Sequence, residues 1–292
     1  MEKRNKYIRA KKIYINPIQL KVWRDDGKYS FLIMDNGIGM DKDDAVKCFS
    51  RHATSKLKTL NDLFNIASLG FRGEALPSIA SVSKVTLKTS DGNDGTLVKI
   101  NGGILVEQEK WDIRRGTTIT VNNLFYNTPV RLKYLKSLYT ELANIIDYVN
   151  KMALSYSKIR FRLVNDDKEI LNTNGSGNLL KVINSIYGLD ITKKMIEVSG
   201  SNDDYSIYGY ISMPEVTKSN KNHMTTIVNG RVVRNSILYR SINEAYSNYK
   251  EDTRYPVCVL IIECDPSLLD VNIHPSKLDI RFSNFEELNI LI

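Results

Sequence analysis

Residues 29–49 pass from a strand through a glycine turn to a capped helix with almost no spare length. Tyr29, Phe31 and Ile33 alternate with Ser30, Leu32 and Met34, which predicts a mostly buried strand. The strand runs directly into Asp35-Asn36-Gly37-Ile38-Gly39-Met40. Asp41 then reads as a helix N-cap, with Asp44 three residues on, and the helix is expected to continue through Val46 and Phe49. A carboxylate at a strand end can accept a hydrogen bond from an exocyclic amino group such as that of adenine. Glycine at 37 and 39 lets a base lie against bare backbone. Alone, D-x-G-x-G is a weak signal and describes a capped turn more often than a binding site.

A second glycine pair, in Gly70-Phe71-Arg72-Gly73, precedes the helix-forming Glu74-Ala75-Leu76. Glycines there permit close backbone approach, and a helix start presents unpaired N–H groups to an anion. No Gly-Lys-Ser/Thr follows, so this is not a P-loop, and G-x-G-x-x-G is absent too. A surface loop is the competing reading. Thr54-Ser55-Lys56 offers two hydroxyls and a cation, suited to phosphate or to capping a helix. His52 is expected to pack or hydrogen-bond. With Cys48 it has i, i+4 spacing, but two ligands do not make a zinc site. Cys48, Cys258 and Cys264 form no C-x-x-C, so neither zinc nor a disulfide framework is indicated.

The rest of the chain supplies two α/β units. A strand is expected over Lys12–Ile18 and a turn at Trp23-Arg-Asp-Asp-Gly. Further strands are expected at 84–89, 97–106 and 117–122, a helix through Leu142–Ala153, and a strand pair at 159–164 and 169–171. Gly/Asn/Ser-rich residues 173–178 read as a loop or as the approach to a boundary, and domains are expected at 1–175 and 179–292. The second unit reads as a helix at 179–187, strands at 205–213 and 224–229, and an Asn229-Gly230 hairpin turn. A helix at 236–249, strands at 257–263 and 278–282, and a helix at 285–291 complete it. With 292 residues, 41 Lys+Arg against 33 Asp+Glu and a net charge of +8, the chain suits a polyanionic partner, nucleic acid first. No apolar run reaches the ~18–20 residues that span a bilayer, so no membrane role is expected.

The motifs together are more specific than any one. DNGIGM at 35–40, RHATSK at 51–56, SLGFRGEALPSIASVS at 68–83, GTT at 116–118, FYNTPVRLKYL at 125–135, IVNGR at 227–231 and DVNIHPSK at 270–277 follow one another in order. This series resembles the N-terminal ATPase region of MutL-type DNA mismatch repair proteins, of the GHKL superfamily that includes gyrase. The resemblance implies an α+β fold: a two-layer α/β sandwich of GHKL (Bergerat) type, then a ribosomal-protein-S5-like transducer. It implies ATP with Mg²⁺ as cofactors. Asp35 would bind adenine, with Gly37 and Gly39 shaping its pocket. Thr54, Ser55 and Lys56 would line the nucleotide. Gly70, Phe71, Arg72, Gly73, Glu74, Ala75 and Leu76 would wrap the phosphates as a lid. Thr117 would support Asp35 or a bridging water, and Lys277 would reach the γ-phosphate. Arg231 matches a DNA-contact position, with Arg234 as its companion.

The same resemblance implies a leading helix reading E-x-x-x-N-x-x-D-A, whose Glu is the general base and whose Asn holds Mg²⁺. Counted back from Ala10-Lys11-Lys12-Ile13, Arg4 and Tyr7 fall where the Asn and Asp belong. A truncated copy, without hydrolysis, is expected in preference to a degenerate one. The partners implied are double-stranded DNA, a mismatch-recognition protein of MutS type, a downstream endonuclease or helicase, and a second copy of the chain. The location implied is cytoplasmic, near the nucleoid. The alternative is a non-catalytic DNA-binding scaffold on the same fold.

Overall fold

A computed structural model describes residues 18–25, 28–54, 73–270 and 280–292. The chain divides into two compact units. One comprises the residues up to Asp147 with Lys158–Ser176, the other Tyr148–Ser157 with Gly177–Ile292.

The first unit is built on one eight-stranded mixed sheet. Its strands are β1 (Ile18–Asp25), β2 (Lys28–Asp35), β3 (Lys84–Ser90), β4 (Gly95–Asn101), β5 (Ile104–Trp111), β6 (Gly116–Asn122), β7 (Phe161–Asn165) and β8 (Lys168–Asn172). They lie in the order β5-β4-β3-β6-β2-β1-β7-β8. Among the described residues of this sheet only β1 and β7 pair in parallel; every other neighbouring pair is antiparallel. The helices Lys42–Lys47 and Ala75–Ala80 cover one face. Ala45 and Ala80 pack with Val85, Leu87, Val98, Ile100 and Val121, alternate residues of β3, β4 and β6, so the period-2 pattern of the strands makes the core. This is a two-layer sandwich.

Several boundaries differ from expectation. Trp23, Arg24 and Asp25 are strand, not turn, because they continue the β1–β2 ladder to the Asp25–Lys28 pair. β2 is half-buried rather than mostly buried, with Ser30 its one fully buried side chain. The segment expected at 97–106 is two strands, hinged at Gly102 and Gly103, both with positive φ. Asp41 caps as expected, its carboxylate accepting from the Asp44 N–H at 2.8 Å. The expected strand residues 12–17 and turn residues 26–27 lie outside the described residues.

The second unit carries a five-stranded sheet. Its strands begin with β9 (Met195–Ser201) and β10 (Tyr205–Ser212). The two-residue β11 (Thr217–Lys218) pairs apart from this sheet, with β14. Then come β12 (Met224–Val228), β13 (Arg231–Val233), β14 (Tyr255–Pro256) and β15 (Cys258–Cys264), followed by the short pair β16 (Leu269–Asp270) and β17 (Arg281–Phe282). The order is β13-β12-β15-β10-β9, with β12 and β15 parallel. Asn229 and Gly230 make the β12–β13 turn, both at positive φ, as an Asn-Gly hairpin requires. The helix Ser236–Ala245 buries Leu238 and Ile242 among Met224, Val228, Cys258, Leu260 and Ile262. Each such fully buried side chain contributes roughly 1.5–3 kcal/mol. That helix ends at Ala245, earlier than expected, and a 3₁₀ turn Ser247–Tyr249 follows.

Candidate functional site

The end of β2 delivers Asp35 to the sheet's edge of turns. Asp35 stands opposite Thr117 on β6, and Thr117 stands opposite Thr89 on β3, so the three share one rung. The Asp35 carboxylate accepts the Gly37 N–H at 2.8 Å and is also held by the Thr117 backbone N–H. Burial pushes its pKa above the ordinary aspartate value, while those two backbone donors pull the other way. An ionised carboxylate has about four acceptor sites, so two donors leave capacity for a ligand.

Thr89 was not singled out by the sequence. Its hydroxyl lies 3.1 Å from that of Thr117, 3.2 Å from the Gly116 carbonyl, and accepts the Met40 N–H at 3.0 Å. It is buried, and ties the turn 35–40 to the strand that braces Asp35. Gly39 has φ +70°, and a Cβ there would run into the Ser90 carbonyl. Glycine at 39 therefore serves the docking of the turn against β3, whatever else it serves.

The other glycine motif is partly described. Gly73 has φ +62°, and a Cβ there would meet the backbone of Ala53. The His52 N–H donates to the Gly73 carbonyl at 3.2 Å, and His52 Nδ1 lies 3.5 Å from Glu74 Oε1. His52 is thus an exposed hydrogen-bonding residue rather than a packing one. Glu74 precedes the helix Ala75–Ala80 without a side-chain cap, and Leu76 lies in that helix. Thr54 closes the described part of RHATSK. Ser55, Lys56, Gly70, Phe71, Arg72 and Lys277 lie outside the described residues.

In the second unit Arg231 opens β13 close enough to Tyr156 for its charge to favour the phenolate, although burial raises the Tyr156 pKa more. Arg234 follows the same strand and lines a different place, a cavity shared with Lys151 and Lys221. Among the described residues no group of three or more His, Cys, Asp or Glu could hold a metal ion. No helix among them is long and apolar enough to cross a membrane.

The fold is that of the GHKL ATPases. A family profile described as "DNA mismatch repair protein, C-terminal domain" matches residues 183–292. The DNA mismatch repair protein MutL of Geobacillus sp. (strain WCH70) is 51% identical over 261 residues, covering 89% of this chain and 42% of that protein. The crystal structure of the N-terminal domain of a DNA repair protein superposes with TM-score 0.79 at 25% identity, covering 95% of this chain and 86% of that one. The ADP-complexed ATPase domain of Aquifex aeolicus MutL superposes with TM-score 0.62 at 20% identity, covering 86% and 85%. This chain is a homologue of the MutL-type DNA mismatch repair proteins and carries their GHKL fold region. It spans about two-fifths of the length of the curated relatives it matches.

Proposed function

We propose that this chain is the nucleotide-binding and DNA-contacting part of a mismatch-repair switch. The observation that carries the reading is Asp35: a partly buried carboxylate, fixed by backbone N–H donors and flanked by the Gly37–Gly39 turn. Burial has cost it water, so an adenine amino group donating to it restores what solvation was lost. Gly37 leaves the base room along main chain, and Gly39 lets the turn that carries it dock against β3. Thr117 orients Asp35 through its N–H, and Thr89 holds the Thr117 hydroxyl.

Thr54, Ser55 and Lys56 line the nucleotide in this reading. Gly70, Phe71, Arg72, Gly73, Glu74, Ala75 and Leu76 form the lid over the phosphates, and Lys277 senses the γ-phosphate. The backbone join of Gly73 to Ala53 supports a mechanical link between lid and RHATSK. ATP would be the ligand. Mg²⁺ would accompany it; among the described residues no group of three or more His, Cys, Asp or Glu is placed to hold the ion. Residues 1–292 contain no E-x-x-x-N-x-x-D-A, so a polypeptide of these residues binds without useful hydrolysis. Losing a general base alone slows such a step by ~10²–10⁴-fold.

Arg231 and Arg234 contact duplex DNA in this reading, helped by the net charge of +8. Nucleotide binding would order the lid, bring two copies together, and alter contacts with a mismatch-recognition protein and a downstream endonuclease or helicase. The test is uptake of a fluorescent adenine nucleotide by the parent and by Asp35→Asn. Binding that weakens in the variant supports the reading; equal binding contradicts it. A DNA-binding scaffold without nucleotide is the second reading, favoured by the charge; duplex affinity indifferent to a non-hydrolysable ATP analogue would select it.

A further inference from the structure

Among the described residues β9 (Met195–Ser201) pairs only with β10, which leaves its other side as an edge of the second unit's sheet. Hydrogen bonds in an antiparallel ladder alternate between the two sides of a strand. The Met213 N–H donates to the Lys194 carbonyl at 2.8 Å, and the Asn202 N–H donates to the Tyr205 carbonyl at 3.0 Å. The register between these two points runs unbroken. The even-numbered residues of β9 therefore bond inward, and Met195, Glu197, Ser199 and Ser201 turn their N–H and carbonyl groups outward.

Natural edge strands are usually blunted by Pro, by Lys, by a bulge or by inward charge. β9 reads Met-Ile-Glu-Val-Ser-Gly-Ser and has none of these; Glu197 is its one charge. β5, an edge of the first unit's sheet, is guarded differently. It carries both Glu107 and Glu109, which would oppose one another in self-paired registers centred on them.

We propose that β9 pairs antiparallel with β9 of a second copy of this chain, with Val198 on the two-fold axis. Three complementarities select the occupant and the register. Outward groups meet outward groups, Met195 against Ser201 and Glu197 against Ser199, so no carboxylate faces another. Ile196, 44% exposed, comes opposite Gly200 of the second copy. Gly200 has no side chain to resist it, and Leu291 lies within van der Waals reach of a Cβ built there, so Ile196 gains an apolar neighbour. Just beyond the strand ends, Lys193 approaches Asp203 of the second copy, and the symmetry makes that charge pair twice. Shifting the register by one step either way sets Glu197 against Glu197 or takes Ile196 off Gly200. The contact is isologous, so it closes at two copies and does not propagate. It involves no nucleotide and stands apart from the nucleotide-driven pairing proposed above.

The experiment is sedimentation velocity on the full chain without nucleotide. A single strand pair is smaller than a standard interface of roughly 1,600 Å². The concentration series therefore extends to about 0.5 mM, where even weak association registers. The parent should pass from one copy to two as concentration rises. Ser199→Pro removes an outward N–H and no β9–β10 bond, and should abolish association while its thermal melt stays close to the parent's. Lys193→Glu and Asp203→Lys should each weaken association roughly tenfold, because each places like charges together on both sides of the axis. The double variant Lys193→Glu/Asp203→Lys should restore it. A parent that stays single across the series overturns the proposal. So does association that survives Ser199→Pro, that the charge swap fails to restore, or that grows beyond two copies.

Discussion

Gly73 lies with its backbone against that of Ala53, so close that any side chain at 73 would collide with the Ala53 carbonyl. The join is reinforced by the His52 N–H donating to the Gly73 carbonyl at 3.2 Å. Two sequence motifs, RHATSK at 51–56 and SLGFRGEALPSIASVS at 68–83, therefore meet at one main-chain contact. Gly73→Ala combines a positive φ with a backbone clash, and should destabilise the first unit by about 1–3 kcal/mol. Urea unfolding checks this. A variant with parental stability would mean the contact yields freely.

Asp35 gives a pH prediction. Its folded pKa is raised by burial, so the folded chain holds the proton more tightly than the unfolded one. The stability it contributes is present below the ordinary aspartate pKa and is lost as pH rises through the raised value. At neutral pH the charged carboxylate is a cost that the site carries. The melting temperature of Asp35→Asn minus that of the parent should therefore be more positive at pH 7 than at pH 3.5. A difference that shrinks on going to pH 7 would contradict the sign.

Thr89 links three main-chain or hydroxyl partners from inside the sheet. Thr89→Val keeps its shape and removes all three bonds, leaving the Met40 N–H without this acceptor. A loss of about 1–3 kcal/mol is expected in chemical unfolding. Nucleotide affinity should fall with it, because the Asp35 turn loses its tie to β3.

The cysteines should resist modification. Burial pushes Cys258 up to about 12, and burial first, with nearby carboxylates, pushes Cys48 and Cys264 up to about 11. The thiolate is the reactive species. At pH 8 a thiol reagent should react slowly in the folded chain and rapidly with three equivalents in guanidinium. A fast phase in the folded state would contradict these environments.

Much of the fold is legible because several strands carry strong apolar patterns and several helices carry side-chain caps. β2, β10, β12 and β15, and the Asp41 and Asn229-Gly230 signals, follow directly from pattern and turn chemistry. The β9 strand Met195–Ser201 escaped reading because it is an edge strand with polar, exposed alternation. β5 is the opposite edge of the other sheet and almost wholly exposed, so its far half carried no apolar signal. Trp23–Asp25 read as turn because Asp-Asp-Gly outweighed a ladder that only the partner strand reveals. Thr89 and the Lys151–Lys221–Arg234 wall were invisible for a different reason. Their partners are distant in sequence: strand register brings Thr89 to Thr117, and packing of a helix and a 3₁₀ turn near the end of β13 brings the three cations together.

The most direct measurement is a two-by-two titration. The parent and Asp35→Ala are each titrated with ATP and with purine riboside triphosphate, which lacks the 6-amino group. A hydrogen bond to a charged group contributes about 1.5–3 kcal/mol, so the parent should prefer ATP by roughly tenfold or more, and the variant should show almost no preference. Equal affinity of the parent for the two nucleotides, or a preference that survives in Asp35→Ala, or no uptake of either by the parent, would contradict the account.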